Sequence, residues 1–162
     1  MIAKLPFFVI FLALLASAGQ PQAKTSKIIN IRPAVNLTND GILQQEKGAV
    51  ILLYVSAVDC PYCKKLEKEV LNSFVTNEEY LNKVILREMT WRSNEPFINF
   101  DNQTDTPVNF LKAYDIKVTP TLIFLDSSGK QLSPQIVGYS SNEFFWYYLD
   151  AAIRKSNLQL KQ

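Results

Sequence analysis

The chain has two cysteines, Cys60 and Cys63, and only two residues separate them. An apolar run at 49–55 precedes them, and an amphipathic pattern at 64–75 follows. Because one helical turn brings two such thiols together, they can close into a disulfide and open again. Pro61 fits the first turn of a helix, where a missing N–H costs nothing. The spacing and its setting between a strand and a helix predict thiol–disulfide chemistry.

The position of Cys60 favours it as the attacking sulfur. Only the thiolate attacks, and an ordinary thiol with a pKa of about 8.5 is mostly protonated at neutral pH. The unpaired N–H groups and the partial positive charge at a helix N-terminus stabilise a thiolate placed there. We predict that Asp59 caps this helix, that Cys60 attacks and that Cys63 resolves the mixed disulfide.

Two other uses of the cysteine pair remain open from the residues alone. A static disulfide across so short a loop would stabilise the fold only weakly. A closed zinc site needs four ligands, and the chain has no histidine and no further cysteine. Two thiolates alone suit copper(I) better. We predict the redox use, with no metal and no cofactor.

The N-terminus has the pattern of a secretory signal peptide. Lys4 provides a basic start, and the apolar run at 5–16 is about twelve residues, shorter than the roughly twenty that span a bilayer. Residues 16–18 match a small-x-small cleavage site. We predict a cleaved signal peptide at 1–18 and a flexible mature end at 19–26, with an uncleaved anchor as the alternative. Export would place the cysteines in the periplasm, an oxidising compartment where a dithiol needs an electron supply.

Length and composition indicate one domain. The chain has 162 residues, of which 48% are hydrophobic, so it can bury a core without disulfide staples. A net charge of +2 with no basic block argues against nucleic-acid binding. We expect a single folded domain at 27–157, a tail at 158–162 and a monomer.

The remaining patterns predict the elements that position the pair, in the order β-α-β-α-β-β-α. Helices are predicted over 36–47, 64–75, 76–81 and 106–114 and from Ser140 to about Lys155. The first is expected to end at Gly48, and the last to begin with a capping box of Ser140 and Glu143. The charged residues within 64–69 are expected to lie on a solvated face of the second helix. Strands are predicted within 27–35 and over 49–55, 83–91, 121–125 and 135–139, the last two forming a hairpin. Residues 92–105 read as a loop whose aromatic side chains pack inward. This order predicts an α/β fold with a mixed sheet and helices on both faces.

Two motifs in this order resemble the thioredoxin fold, a central mixed β-sheet flanked by helices. They are Cys60-Pro61-Tyr62-Cys63 at the start of a helix and Val118-Thr119-Pro120-Thr121 at the entry to the hairpin. The segments 59–66, 121–130 and 137–139 are similar to exported thioredoxin-like proteins of the SoxW-like group. The resemblance covers nearly all of the predicted mature chain.

The resemblance implies roles for residues outside the cysteine pair. Pro120 is expected to be cis, and Thr119 to offer its backbone to an extended substrate strand next to Cys60. Pro61 and Tyr62 are expected to contact the substrate. These four residues and the two cysteines are the predicted site.

The sequence also departs from the family. Tyr54 stands where thioredoxin has a buried acid that assists the second cysteine. A tyrosine is a poor base near neutral pH, so water or Glu88 is the expected proton acceptor for Cys63. The histidine that marks the strongly oxidising periplasmic relatives between the two cysteines is missing.

The resulting prediction is a periplasmic thiol–disulfide oxidoreductase. It would reduce disulfides of exported proteins and receive electrons from a membrane donor. The alternatives are a thiol oxidase or isomerase running the same couple in reverse, and a copper(I)-binding assembly factor that uses the cysteines as ligands.

Overall fold

The computed structural model of the chain describes residues 31–162. The predicted signal peptide at 1–18, the predicted flexible end at 19–26 and the first residues of the predicted strand within 27–35 lie outside this range. In the described range, no helix combines the length and the apolarity needed to cross a membrane.

The described residues form six α-helices and six strands. The helices are α1 (Leu37–Lys47), α2 (Pro61–Leu66), α3 (Asn72–Phe74), α4 (Glu78–Leu81), α5 (Pro107–Phe110) and α6 (Phe145–Gln159). The strands are β1 (Val50–Ser56), β2 (Val84–Thr90), β3 (Phe97–Ile98), β4 (Thr104–Asp105), β5 (Thr121–Leu125) and β6 (Gln131–Val137). A π-helical turn, Glu67–Leu71, joins α2 to α3, and a 3-10 turn, Leu111–Tyr114, follows α5.

Four of the strands form one mixed sheet in the order β2-β1-β5-β6. β1 is parallel to β2 and antiparallel to β5, and β5 is antiparallel to β6. Every residue of β1 is buried, as its unbroken apolar pattern predicts for a central strand covered on both faces. The predicted α/β fold with a mixed central sheet is confirmed.

The predicted first helix is also confirmed, with the caps that its sequence specifies. The Asn36 side chain accepts a hydrogen bond from the Asn39 N–H at 2.9 Å, which satisfies one of the unpaired donors of the first turn. Gly48 ends the helix with φ 63°, a left-handed conformation that favours glycine. Gly41, inside the helix, lets α1 approach the β5–β6 turn, since a Cβ there would lie 2.7 Å from the Ser127 carbonyl oxygen.

Of the strand predicted within 27–35, the structure describes residues 31–35. These residues form one isolated β-bridge, between Pro33 and Glu88. The Ala34 N–H donates to the Glu88 carbonyl at 2.8 Å, and the Glu88 N–H donates to the Arg32 carbonyl at 2.9 Å. The predicted loop 92–105 contains the short β3–β4 ladder. Its aromatic side chains do pack inward, and the rings of Phe97 and Phe110 meet edge to face at 5.3 Å.

The hairpin and the last helix differ from the prediction. β6 begins at Gln131 and not at 135, because Pro134 is tolerated in an edge strand whose outer N–H positions need no partner. The predicted capping box of Ser140 and Glu143 does not form, and α6 starts at Phe145 without a side-chain cap. The helix continues to Gln159, so the boundary predicted after residue 157 falls inside it.

Candidate active site

The cysteine pair lies at the start of α2, which follows β1 after a short turn. Cys60 itself is the N-cap residue of this helix. The two sulfurs are joined in a disulfide, with the Cα atoms 5.2 Å apart. The backbone N–H of Cys63 points at the Sγ of Cys60, 3.1 Å away. The prediction that Asp59 caps the helix is wrong: Asp59 is exposed with φ 56°, and this left-handed residue turns the chain so that Cys60 takes the cap position.

The environment of the two sulfurs separates their roles. Cys60 keeps 9% of its surface exposed, whereas Cys63 keeps 2%. An incoming sulfur therefore reaches Cys60 more readily. When the disulfide opens, the helix N-terminus and the Cys63 N–H both stabilise negative charge on the Cys60 sulfur.

The segment before β5 completes the immediate surroundings of the disulfide. The Thr119–Pro120 peptide bond is cis. The Thr119 hydroxyl lies 3.5 Å from the Cys60 Sγ and can donate to it. The Pro120 carbonyl accepts a hydrogen bond from the Gly138 N–H at 2.8 Å, which ties this segment to the end of β6.

The structure brings the predicted site residues to one surface. Tyr62 is 60% exposed, and Pro61 is exposed beside it. Tyr62 and Thr119 line the same open cavity of about 710 Å³. Thr119 is half-buried and Pro120 is buried, so Pro120 presents little surface of its own.

Two carboxyl groups lie behind the disulfide and are held by hydroxyl groups. Tyr54 is fully buried, and its hydroxyl donates to Glu67 at 2.7 Å. Ser56 donates to Glu88 at 2.6 Å. Burial, the hydrogen bond to Glu67 and the negative charges of Glu67 and Glu88 all raise the pKa of Tyr54 far above its ordinary value. Tyr54 thus stays protonated and cannot act as the base for Cys63.

The pKa of Glu88 is also raised, but unlike that of Tyr54 it is subject to opposing influences. Burial raises the pKa of Glu88 above its ordinary value, the Ser56 hydrogen bond lowers it, and the negative charge of Glu67 raises it again. Among the described residues, neither Glu67 nor Glu88 forms an ion pair. The expected role of Glu88 as proton acceptor for Cys63 stays a prediction.

The prediction of a solvated charged face at 64–69 is wrong for two of its residues. The π-helical turn places Glu67 and Glu69 half-buried, each accepting a hydrogen bond from a tyrosine. The partner of Glu69 is Tyr139, whose hydroxyl lies 2.6 Å from the carboxylate. The buried tyrosine in the β1 sequence was the available signal, since a buried phenol normally finds a hydrogen-bond partner.

A second contact fixes the helix that carries the cysteines to the loop after β6. The Lys65 ammonium donates to the Ser140 carbonyl at 2.6 Å and lies 5.9 Å from the centre of the Tyr139 ring. Together with the bond between Tyr139 and Glu69, it holds α2 and the π-helical turn against the segment that follows β6. Within the described residues, no group of three or more acidic or cysteine side chains comes together in a way that could hold a metal.

A helix that begins on a disulfide, a cis-proline segment beside it and a four-stranded mixed sheet define a thioredoxin fold with a CXXC-spaced cysteine pair. Residues 38–153 match the family model described as thioredoxin-like domain, and the chain belongs to that family.

Comparisons with individual proteins agree with this fold. The thiol:disulfide interchange protein DsbD of Yersinia pestis is 24% identical over 133 residues, which cover 81% of this chain. The match spans only 21% of that relative, so the chain corresponds to about a fifth of its length. A thioredoxin from Thermus thermophilus superposes with a TM-score of 0.54 at 16% identity, covering 79% of this chain and 91% of the other. The oxidoreductase DsbH gives a TM-score of 0.52 at 16% identity, covering 86% and 96%.

Proposed function

We propose that the chain is an exported thiol–disulfide oxidoreductase that reduces disulfides of exported proteins in the periplasm. The observation that carries the proposal is the disulfide at the start of α2, with Cys60 as the more exposed sulfur and the acceptor of the Cys63 N–H. The DsbD match supports a role in thiol–disulfide interchange. An electron donor in the membrane belongs to the same proposal. Affiliation with the SoxW-like group is part of the same proposal.

The reaction transfers two electrons from the Cys60–Cys63 dithiol to the substrate disulfide. In the reduced protein, the Cys60 thiolate attacks one sulfur of the substrate disulfide, forms a mixed disulfide and releases the other substrate sulfur as a thiolate. The Cys63 thiolate then attacks the Cys60 sulfur and releases the second substrate thiolate. The substrate ends reduced and the pair ends oxidised, in the state that the structure holds. A donor dithiol returns the pair to its starting state.

The domain organisation belongs to this proposal as well. Residues 1–18 would direct export and be removed, 19–26 would remain as a flexible mature end, and the folded domain would begin near residue 27. The apolar run with its small-x-small end supports the export step. N-terminal sequencing of the protein recovered from a periplasmic extract tests it, and a start at residue 19 is the expected result.

One observation favours the opposite direction of electron flow. The N–H donor and the helix N-terminus stabilise the Cys60 thiolate, and a more stable reduced form makes a better oxidant. The second candidate is therefore a thiol oxidase or isomerase that uses the same residues.

The reduction potential of the Cys60–Cys63 couple separates the two directions. The purified protein is equilibrated with glutathione or dithiothreitol buffers, and its thiols are counted by alkylation. We expect a potential below about −220 mV for a reductase, whereas a value above about −150 mV would assign the oxidase or isomerase role. In the same assay, Cys60→Ser should abolish exchange and Cys63→Ser should trap the mixed disulfide. A chain with no reversible couple would overturn the redox function.

A further inference from the structure

Two aromatic side chains form an exposed wall of the cavity that Tyr62 and Thr119 line. Phe144 and Tyr148, at the start of α6, line it and are 67% and 59% exposed. The neighbouring Tyr147 is 69% exposed but lies outside the cavity. Large apolar side chains grouped on an exposed concave surface mark a place where a partner binds.

The same cavity is also lined by residues next to the disulfide. Tyr62 and Thr119 line the cavity, and the Thr119 hydroxyl is within 3.5 Å of the Cys60 Sγ. A molecule that fills the cavity therefore touches both the surroundings of Cys60 and the aromatic wall. The occupant is for this reason the polypeptide whose disulfide reacts, since its sulfur has to reach Cys60.

The chemistry of the cavity lining sets what that polypeptide presents. No side chain that lines it carries a charge, and Val118, Ile136 and Val137 extend its apolar surface between the wall and Thr119. A charged segment would lose hydration there without gaining a partner. A bulky apolar side chain would bury its surface against the two rings.

We propose that Phe144 and Tyr148 are specificity-determining residues that bind a bulky apolar side chain located near the reacting cysteine of the substrate. The inference rests on the proposed function and names its substrate class: extended, uncharged segments in which an aromatic or large aliphatic residue accompanies the disulfide. The sulfur chemistry is the two-step exchange described above, and the wall takes no part in bond making. Its contribution is affinity for one kind of substrate.

The test compares two synthetic peptides, each closed by one disulfide and identical except for phenylalanine or serine next to a cysteine. Dithiothreitol-reduced protein, freed of reductant, is mixed with each peptide, and the second-order rate constants give a phenylalanine-to-serine ratio. We expect a ratio of about ten or more for the natural sequence, since burial of one aromatic side chain is worth at least a factor of ten. Phe144→Ser and Tyr148→Ser should each lower the ratio several-fold, and the double variant should bring it near one.

Two controls use exposed apolar residues of the same helix that lie outside the cavity. Tyr147→Ser and Leu158→Ser should keep the natural ratio. A ratio near one for the natural sequence, or an equal loss in the controls, would overturn the assignment while leaving the redox function intact. If the reduced protein opened neither peptide and also failed to reduce the small disulfide dithiobis(nitrobenzoate), the proposed redox function would be overturned as well. Sedimentation could instead show that the natural protein is a dimer and that Tyr148→Ser is a monomer, with an unchanged rate ratio. The aromatic wall would then bind a second copy of the chain, and the inference would be overturned.

Discussion

The side chains of β1 divide between the two faces of the sheet, and the two faces differ in chemistry. Val50, Leu52 and Tyr54 belong to the cluster that contains both cysteines and the buried side of α6. Ile51 and Leu53, with Val55, belong to the cluster under α1 and the β3–β4 ladder. The first face opens onto the cavity beside the disulfide. The second face is closed by aromatic rings of the segment between β2 and β5.

The difference extends to how each face holds its acidic groups. On the closed face, Arg87 of β2 forms an ion pair with Asp40 of α1, and both side chains are nearly buried. On the disulfide face, Glu67 and Glu88 are held by the hydroxyls of Tyr54 and Ser56. The carboxylate on the closed face thus has a cationic partner, whereas the two carboxyl groups on the disulfide face have neutral hydroxyl partners. The comparison shows that the closed face holds its carboxylate in an ion pair, whereas burial on the disulfide face raises the pKa of Glu88.

Truncating neighbouring leucines of β1 should separate stability from redox behaviour. Leu52 and Leu53 are both fully buried, but they point to opposite faces. We expect Leu52→Ala and Leu53→Ala each to lower the free energy of unfolding by about 2–5 kcal/mol, measured by urea denaturation. Only Leu52→Ala should also change the rate at which the folded protein opens a small disulfide. An equal change in that rate for Leu53→Ala would break the distinction between the faces.

How much of this arrangement the sequence reveals depends on the range of the interactions. The caps of α1 and the position of Cys60 at a helix start follow from contacts within a few residues, so the local pattern predicts them. The roles of Glu67 and Glu69 depend on Tyr54 and on Tyr139, which is 70 residues from Glu69. They also depend on a π-helical turn, which shifts side chains off the regular helical period that a charge pattern assumes.

The cavity beside the disulfide shows the same limit. Thr119 and Tyr62 are found by their motifs, because each lies in or beside a recognisable turn. Phe144 and Tyr148 belong to a run of aromatic residues, and their spacing on α6 does not tell which ring stays exposed. Only the packing of α6 against β6, with an uncapped start at Phe145, leaves these two rings open to solvent.

The closed face should be sensitive to a single added methyl group. An alanine Cβ at Gly41 would lie 2.7 Å from the Ser127 carbonyl oxygen, so α1 or the β5–β6 turn would have to shift. Alanine favours a helix by about 1 kcal/mol over glycine. We nevertheless expect Gly41→Ala to destabilise the protein by about 1–3 kcal/mol in urea denaturation, because overpacking of backbone against backbone outweighs helix propensity.

The neighbouring position provides the control for this change. Ile42 is 52% exposed on the same helix, and Ile42→Ala should alter stability by less than about 0.5 kcal/mol. An increase in stability for Gly41→Ala would mean that the contact between α1 and the turn is loose. The closed face would then have room for a methyl group between α1 and the β5–β6 turn.

On the disulfide face, the expected effect is smaller and depends on pH. Burial raises the pKa of Glu88 from its ordinary value of 4.5, although the Ser56 hydroxyl acts in the opposite direction. The folded protein therefore binds this proton more tightly than the unfolded chain does. The resulting stability is fully present below pH 4.5 and is lost as the pH rises through the raised folded value.

Glu88→Gln keeps an oxygen for the Ser56 hydroxyl and removes the titration. The free energy of unfolding of Glu88→Gln minus that of the natural sequence should therefore increase from about pH 4.5 upward and level off once Glu88 is ionised in the folded state. Ser56→Ala removes the group that lowers the pKa, so the natural glutamate should then lose stability over a wider pH range. Urea denaturation between pH 4 and pH 8 measures both differences. A difference between Glu88→Gln and the natural sequence that stays constant with pH would mean that burial does not raise the pKa of Glu88. The disulfide face would then lose the raised pKa by which the comparison distinguishes it.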